Sequence, residues 1–304
     1  MRIVFMGTPD FAVPSLKALV AAGHEVVGVF TQPDKPKNRG MKLTPSPVKV
    51  AAQEFDIPVY QPATLKTDEA YDVLTQLKPE LIAVAAYGKI LPKRILEVPE
   101  KGCINVHSSL LPRYRGAAPI NWAILNGDEQ TGVTIMYMAE GLDTGDIISQ
   151  RATPIDPSET VEALHDRLAD IGAELLTETV AALADGTATR TPQDDSLSCY
   201  APMLSRELSP IDFTKSARQI HNQVRGLIPW PATSAEIAGT TFKIFSVEET
   251  DATSDQPAGT VLGADKKGIN VVCGDGKVLR ILELQAPGKK RMRTVDYLRG
   301  HALF

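Results

Sequence analysis

The feature that most constrains the fold is the alternation of short apolar strands with helical patterns through the first half of the chain. The predicted strands that are apolar almost throughout lie at 2–6, 25–31, 80–88 and 102–108. Helical spacing separates them at 14–23, 48–55 and 69–77. Strands that are apolar on both faces are typical of a parallel sheet covered by helices on both sides. We therefore predict an α/β fold with a mainly parallel sheet.

The pattern continues to Gly186 and then changes. Up to that point we predict a helix at 119–127, strands at 132–138 and 146–153, and one long amphipathic helix at 159–186. Residues 187–213 lack periodicity, a helix at 216–227 follows, and short strands broken by Gly, Asp and Pro begin at 233. Such spacing is typical of a small β-barrel. We predict a first domain at 1–188, a linker at 189–207 and a C-terminal β-barrel domain at 208–304.

The charge of the chain is distributed unevenly. The net charge is −5, which by itself disfavours a nucleic-acid partner. Residues 1–205 hold 18 Lys and Arg against 26 Asp and Glu, whereas residues 206–304 hold 14 against 11. The mildly basic C-terminal part indicates a partner of its own, although chance variation between two domains explains the charges equally well.

Cysteine usage and hydropathy bear on the compartment. Cys103, Cys199 and Cys273 are far apart, which argues against a disulfide framework or a zinc site and favours a reducing compartment. No apolar run is long enough to cross a bilayer, and the apolar stretch at the amino terminus is too short for a secretory signal. We expect a cytoplasmic protein without a metal ion and without a membrane partner.

The first strand ends in a turn that fits neither of two common nucleotide motifs. In "FMGTPDF", Gly7 stands alone, and Pro9 occupies the position where a dinucleotide fold needs its second glycine. No Walker sequence is present. A nicotinamide enzyme and a nucleotide hydrolase are therefore both disfavoured.

Asn105 and His107 end the predicted strand at 102–108. Residues two apart on a strand project from the same face, and ligands bind at the carboxyl ends of the strands in open α/β sheets. Histidine changes charge near neutral pH and asparagine donates hydrogen bonds without titrating. The pair suits an oxygen that becomes negative in a tetrahedral intermediate, although an isolated histidine is more often structural.

The segment "EGLDTGDI" (140–147) lies between two predicted strands. Gly141 and Gly145 allow a tight loop in which Asp143 or Asp146 could point inward. Asp and Gly are common in plain turns, and from these residues alone a plain turn is the better interpretation.

The segment "NVHSSLLPRYRGAAPI" together with "LDTG" resembles the folate-dependent formyltransferases. The resemblance runs nearly end to end through "FMGTPDFAVPSL", "GVFTQPDKPKNRGMKLTPSPVK", "AAYGKILP" and the late "IPWPAT". It implies that Asn105, His107 and Asp143 form the catalytic trio, and so replaces the plain-turn interpretation of Asp143. It also implies a Rossmann-like formyltransferase domain, a following small OB-like β-barrel domain, and a monomer.

The resemblance further implies a substrate pair. The donor is 10-formyltetrahydrofolate, used as a co-substrate. The segment "TQPDKP" and the basic C-terminal tail are similar to those of family members that formylate methionyl initiator tRNA for translation initiation. The residues implied to line the folate pocket are Ala85, Tyr87, Gly88, Ser109, Leu110, Leu111 and Pro112.

Two basic segments are implied to contact the tRNA. In the inserted loop at 32–47, which is too rich in Pro, Lys and Arg for a regular element, Arg39 is the expected determinant, with Lys35 and Lys42 beside it. A flexible charged loop is the alternative that composition alone favours. In the tail, we expect phosphate contacts from Lys289, Lys290, Arg291 and Arg293.

Two other functions remain open at this point. A formyltransferase for a small amine, such as glycinamide ribonucleotide or an amino sugar, would share the trio but would not need the basic segments. A catalytically silent folate- or RNA-binding protein could use the same scaffold, although an intact trio argues against it.

Overall fold

The computed structural model describes residues 1–37 and 42–301, and the chain forms two compact units. The first unit comprises Met1–Pro119, Thr131–Pro154 and His165–Ala201. The second comprises Ile120–Gln130, Ile155–Leu164 and Pro202–Phe304. Two short stretches from the middle of the chain therefore cluster with C-terminal residues. The functional domain bounds 1–188, 189–207 and 208–304 stay a prediction.

Strands and helices alternate up to residue 201 as the sequence pattern predicts. The strands are β1 (Arg2–Gly7), β2 (Glu25–Phe30), β3 (Lys35–Lys37), β4 (Lys42–Thr44), β5 (Val59–Tyr60), β6 (Leu81–Ala85), β7 (Cys103–His107), β8 (Arg115–Gly116), β9 (Gln130–Tyr137), β10 (Ile147–Pro154) and β11 (Tyr200–Ala201). The helices are α1 (Val13–Ala21), α2 (Pro47–Glu54), α3 (Asp68–Leu77), α4 (Lys93–Leu96), α5 (Pro119–Leu125) and α6 (Val161–Asp185).

Within the described residues, the main sheet has seven strands in the order β10-β9-β7-β6-β1-β2-β5. The strands from β7 to β5 are parallel to one another, and β9 runs antiparallel to β7. Ile3 and Phe5 on one face of β1, and Val4 and Met6 on the other, are all 0% exposed. Because both faces are covered, the prediction of a mainly parallel α/β sheet is confirmed.

The long helix α6 lies close to one face of this sheet. A Cβ atom added at Gly172 would lie 2.8 Å from Cγ1 of Val106 on β7, so glycine allows the close approach at this point. Val106 alternates with Asn105 and His107 along the strand, and these two therefore project from the opposite face.

The segment at 32–47 is not irregular throughout, and that part of the expectation is wrong. β3 and β4 pair antiparallel, with Lys35 opposite Thr44 and Pro36 opposite Leu43. The ribbon leads into α2, where the Ser46 side chain accepts a hydrogen bond from the Lys49 N–H and Pro47 starts the helix. Proline is tolerated here because a two-stranded ribbon consists only of edge strands.

The second unit contains an antiparallel sheet. Its strands are β12 (Thr233–Ile237), β13 (Thr240–Thr253), β14 (Val261–Ala264), β15 (Ile269–Val272), β16 (Lys277–Gln285) and β17 (Met292–Arg293), and its later helices are α7 (Ala217–Gly226) and α8 (Thr294–Leu298). The order is β12-β13-β16-β15-β14, with β17 on β16, and register shifts along β13 mark local irregularities. A reciprocal Ser216–Gln219 capping box starts α7. The predicted second, barrel-like β domain is confirmed.

Within the described ranges 1–37 and 42–301, no helix combines the length and the apolar character needed to cross a membrane.

Candidate active site

The carboxyl ends of three neighbouring strands meet at one edge of the main sheet. Gly7 at the end of β1 is paired with Ala85 at the end of β6, and Ala85 is paired with Val106 of β7. The loops that follow β1, β6 and β7 therefore start side by side. This edge is where open α/β sheets bind their ligands.

Asn105 and His107 project from β7 at this edge. His107 is 5% exposed, and its Nε2 lies 2.9 Å from the main-chain carbonyl oxygen of Tyr114, a distance at which it donates a hydrogen bond. Asn105 is partly exposed, and among the residues that the structure describes none hydrogen-bonds its side chain. The structure thus offers a fixed imidazole and an uncommitted amide on one face of a strand.

Asp143 lies next to His107, although 36 positions separate them in the sequence. Its Oδ2 is 3.7 Å from Nδ1 of His107, and the Asp143 side chain is 15% exposed. The same oxygen accepts a 2.8 Å hydrogen bond from the main-chain N–H of Gly116. The structure therefore brings together the three residues that the resemblance implies.

The surroundings of His107 define which hydrogens its ring can use. Nε2 faces a carbonyl oxygen and Nδ1 faces a carboxylate, and both of these groups only accept hydrogen bonds. The ring can donate toward both only when each nitrogen carries a hydrogen. The 3.7 Å between Nδ1 and Asp143 Oδ2 is longer than a normal N–H···O bond. An Nδ1–H is therefore free to donate to the oxygen of a bound substrate instead.

The loop that carries Asp143 folds back along the end of β9. The main-chain N–H of Tyr137 donates to the carbonyl oxygen of Asp146 at 2.9 Å. A Cβ atom at Gly145 would lie 1.8 Å from the carbonyl oxygen of Tyr137, so only glycine fits there. This tight return carries Asp143 back toward β7.

The loop after β7 is held by a buried hydroxyl. Thr134 Oγ1 donates to the Ser109 carbonyl at 2.7 Å and accepts from the Leu111 N–H at 3.1 Å. Ser109 and Leu111 are buried, whereas Leu110 and Pro112 are partly exposed. Of the folate contacts implied here, only Leu110 and Pro112 are therefore partly open to solvent, and the Leu110 side chain also lies against Gly132.

At the end of β6 the implied folate residues Ala85 and Tyr87 are buried, whereas Gly88 and nearby Ala86 are exposed. Ala85 is 0% and Tyr87 2% exposed, and burial raises the pKa of the Tyr87 hydroxyl to about 12. The Tyr87 carbonyl already accepts from Thr8 Oγ1 and Gln32 Nε2. The Tyr87 side chain belongs to the core, so a ligand would meet this segment at Gly88 and at main-chain atoms. The assignment of folate contacts here stays a prediction.

The residues implied to bind tRNA lie in both units. Lys35 is exposed on β3, and the pKa of neighbouring Lys89 is lowered by burial and by the charge of Lys35. Lys42 lies on β4, whereas Arg39 lies outside the described residues.

The C-terminal cluster divides into two pairs. Lys289 and Lys290 are exposed between β16 and β17. Arg291 donates to Glu283 at 2.8 Å and lies over the Phe245 ring, while Arg293 donates to Asp296 at 2.8 Å. The two lysines are therefore less neutralised than the two arginines. These tRNA contacts stay predictions.

Two residues that the sequence did not single out also belong to this site. Gln193 hydrogen-bonds the Asp143 loop, and Cys199 Sγ accepts from the Tyr114 N–H at 3.2 Å. Both lie in the stretch predicted to be a linker. Isolated polar residues without periodicity carry no sequence signal that would reveal such contacts.

A cavity of about 420 Å³ lies at the opposite, amino-terminal end of β7. Its lining includes Leu96, Lys101, Cys103, Met138 and Arg190. No sequence motif predicts this cavity, and it is not part of the edge where His107 and Asp143 meet.

In the part of the chain that the structure describes, no three His, Cys, Asp or Glu side chains are grouped so that they could hold a metal ion.

Solved structures share this fold. An N-formyltransferase from Helicobacter canadensis, in complex with folinic acid and dTDP-3-aminofucose, superposes with a TM-score of 0.71 at 22% identity, covering 92% of this chain and 98% of that one. The sugar 3N-formyltransferase WlaRD superposes with a TM-score of 0.70 at 20% identity, covering 95% and 99%. At these identities the likeness shows the fold alone.

Curated relatives match at much higher identity. A protein named methionyl-tRNA formyltransferase in Geobacter sulfurreducens is 50% identical over 303 residues, which cover 100% of this chain and 95% of the relative. The protein of the same name in Desulforamulus reducens is 53% identical over 301 residues, which cover 99% of this chain and 95% of the relative. The relative of that name in Clostridioides difficile is 50% identical over 303 residues, covering 100% and 98%.

Two family patterns also match the sequence, one in each part of the chain. The pattern described as formyl transferase matches residues 1–180, and the pattern described as formyl transferase, C-terminal domain, matches residues 203–302. With both patterns in order, and relatives half identical from end to end, the chain belongs to the formyl transferase family.

Proposed function

We propose that this chain transfers the formyl group of 10-formyltetrahydrofolate to the α-amino group of methionyl initiator tRNA. The product is N-formylmethionyl-tRNA, which serves translation initiation. The observation that carries the chemistry is the 3.7 Å approach of Asp143 to His107 beside Asn105, at the ligand-binding edge of the sheet. The choice of acceptor is supported by the full-length relatives named methionyl-tRNA formyltransferase, which are about 50% identical to this chain.

Asn105 and His107 act on the oxygen of the formyl group. When the amine nitrogen bonds to the formyl carbon, that oxygen gains negative charge. The Asn105 amide and an Nδ1–H on His107 donate hydrogen bonds to it, since Nε2 is committed to the Tyr114 carbonyl. Each donor held in place before the reaction stabilises the developing anion by about 3–4 kcal/mol.

Asp143 balances the charge of the ring and helps to move a proton. Its carboxylate lies 3.7 Å from Nδ1 and stabilises positive charge that develops on the His107 ring during the reaction. The attacking nitrogen must lose a proton as the bond from the formyl carbon to the folate nitrogen breaks, and that folate nitrogen must gain one. Asp143 relays this proton through water. No side chain forms a covalent bond to the formyl group.

The loops at the same edge support the choice of donor. Gly88 follows β6, Leu110 and Pro112 follow β7, and none of the three is buried, so they offer apolar and main-chain groups that suit a flat pterin. The related N-formyltransferase from Helicobacter canadensis was solved with folinic acid. We further expect Lys35, Lys289 and Lys290 to contact tRNA phosphates, the enzyme to act as a cytoplasmic monomer, and the reaction to need no metal ion.

An acceptor panel tests the proposed function. The purified protein is mixed with 10-formyltetrahydrofolate and, in separate reactions, methionyl initiator tRNA, free methionine, glycinamide ribonucleotide or an amino-sugar nucleotide. We expect formylation of methionyl-tRNA alone, unchanged by a chelator. Formylation of a small amine in its place would make the chain a small-amine enzyme. Binding of folate and RNA without transfer to any acceptor would make it a silent binding protein.

A further inference from the structure

We propose that residues 190–201, here called the strap, position the catalytic loops, and that Gln193 is the residue through which the strap holds Asp143 against His107. The inference rests on the roles proposed above for these two residues. The whole strap lies in the interval between the two matched family patterns, since the first ends at 180 and the second begins at 203. Gln193 is a positioning residue in this proposal, since it contacts no reacting atom.

Gln193 uses both ends of its amide group to join the loop that carries Asp143 to the segment after β7 that contains Arg115. Its Nε2 donates to the carbonyl oxygens of Asp143 and Gly145, each at 2.8 Å. Its Oε1 accepts from Nε and Nη2 of Arg115, at 3.1 and 2.8 Å. Arg115 follows Tyr114, whose carbonyl holds His107. One side chain therefore connects the backbone on the Asp143 side to the backbone on the His107 side.

The rest of the strap supports the same loops. Tyr200 and Ala201 pair in parallel with Arg115 and Gly116 as β11 and β8. The Arg115 N–H donates to the Cys199 carbonyl at 2.9 Å. Gly116 in turn donates its N–H to Asp143 Oδ2. The strap thus holds β8, the strand whose Gly116 N–H binds the Asp143 carboxylate.

The backbone of Asp143 shows why it needs such support. Its φ is 53°, in the left-handed region that residues other than glycine rarely adopt. Residues in such conformations persist only where their surroundings hold them. Here the Gly116 N–H holds the side chain and the Gln193 amide holds the carbonyl, so removal of the amide lets the peptide turn and moves the carboxylate away from Nδ1.

A displacement of about 1 Å in a catalytic geometry can slow a reaction by about 10²-fold. If Gln193 acts through Asp143, its loss should reduce kcat on that scale and leave the KM for both substrates nearly unchanged. A merely structural tie would instead lower the melting temperature and leave kcat intact.

Two substitutions and one matched control separate these cases. Gln193→Glu keeps an oxygen for Arg115 but replaces the N–H donor by an oxygen that repels the two carbonyls. Gln193→Met removes both sets of bonds and serves if the glutamate variant does not fold. Gln223→Met is the control, because Gln223 Nε2 also donates to two carbonyls, those of Leu208 and Pro210, in the second unit. We expect a fall in kcat of about 10²-fold for the Gln193 variants and no fall for the control.

The decisive measurement repeats the Gln193 substitutions in an Asp143→Asn background. A residue that acts through Asp143 should add less than threefold there, whereas independent effects multiply. Full multiplication, or a kcat within threefold of the parent for the folded Gln193 variants, would overturn the proposal.

A readout without substrate keeps this proposal separate from the proposed function. With 15N-labelled histidine, the His107 ring signals, assigned by a His107→Ala variant, should shift in Gln193→Glu and Gln193→Met in the direction seen for Asp143→Asn. Unshifted signals would overturn the positioning role even in an active enzyme. Shifted signals in a protein that formylates none of the acceptors would overturn the proposed function alone.

Discussion

Replacing Asp143 by asparagine removes one charge from the proposed site and almost no volume. The carboxylate lies 3.7 Å from His107 Nδ1, and the two side chains are 15% and 6% exposed, so solvent screens the pair only weakly. At an effective dielectric constant of about 20, two unit charges at this distance interact by about 4 kcal/mol. That value is an upper bound, because the asparagine carbonyl recovers part of it.

The expected change in rate follows from this energy. Each 1.36 kcal/mol in the barrier is a factor of ten. If between two thirds and all of the interaction supports the transition state, Asp143→Asn slows formyl transfer by about 10²- to 10³-fold. The asparagine oxygen can still accept from the Gly116 N–H, so we expect the loop and the melting temperature to change little.

The assay is single-turnover transfer from 10-formyltetrahydrofolate to saturating methionyl-tRNA. Asp146→Asn is the matched control: it lies in the same loop, but its carboxylate pairs with Arg190 at 3.1 Å and not with His107. A rate for Asp143→Asn within threefold of the parent would refute the electrostatic reasoning. Equal slowing of both variants would attribute the effect to loop stability instead of charge.

Two further predictions concern the tRNA surface and the cysteines. Lys289→Ala and Lys290→Ala should each weaken tRNA binding and reduce the slope of log affinity against log salt by about one. The controls Lys266→Ala and Lys267→Ala, in another turn, should change neither the affinity nor the slope. An unchanged slope for Lys289→Ala and Lys290→Ala would exclude phosphate contacts by these two lysines. Arg291→Ala and Arg293→Ala should have smaller effects, since these side chains already pair with Glu283 and Asp296. Iodoacetamide at pH 8 should modify exposed Cys199 and spare the other two thiols, because burial raises the pKa of Cys103 to about 12 and, with the charge of Asp275, that of Cys273 to about 11. Modification of Cys199 should slow transfer, since its sulfur accepts from the Tyr114 N–H, and an unchanged rate at full modification would contradict this.

The parts of the fold that the sequence predicts are those with a repeating pattern. β1 and β6 are apolar on both faces, and α6 keeps one helical period over 25 residues. The β3–β4 ribbon was not predicted, since proline and lysine disfavour strands and the pairing depends on the chain folding back on itself. α8 is five residues long, too short to show a helical period.

The candidate site shows the same division. Asn105 and His107 can be found from the sequence because they end a strong strand. Asp143 could not be identified from its local sequence, because "LDTG" is typical of an ordinary turn. Its approach to His107 depends on hydrogen bonds from Gly116 and Gln193, which only the folded chain provides. Gln193 itself lies in a stretch with no pattern, and only its three-dimensional contacts reveal it.

The most direct measurement is the single-turnover rate of His107→Ala and Asn105→Ala, with tRNA affinity measured on the same preparations. We expect each substitution to slow formyl transfer by about 10²- to 10³-fold while tRNA binding and folding are retained. Near-parental rates in both variants would contradict the central claim that this imidazole and this amide stabilise the oxyanion formed during transfer.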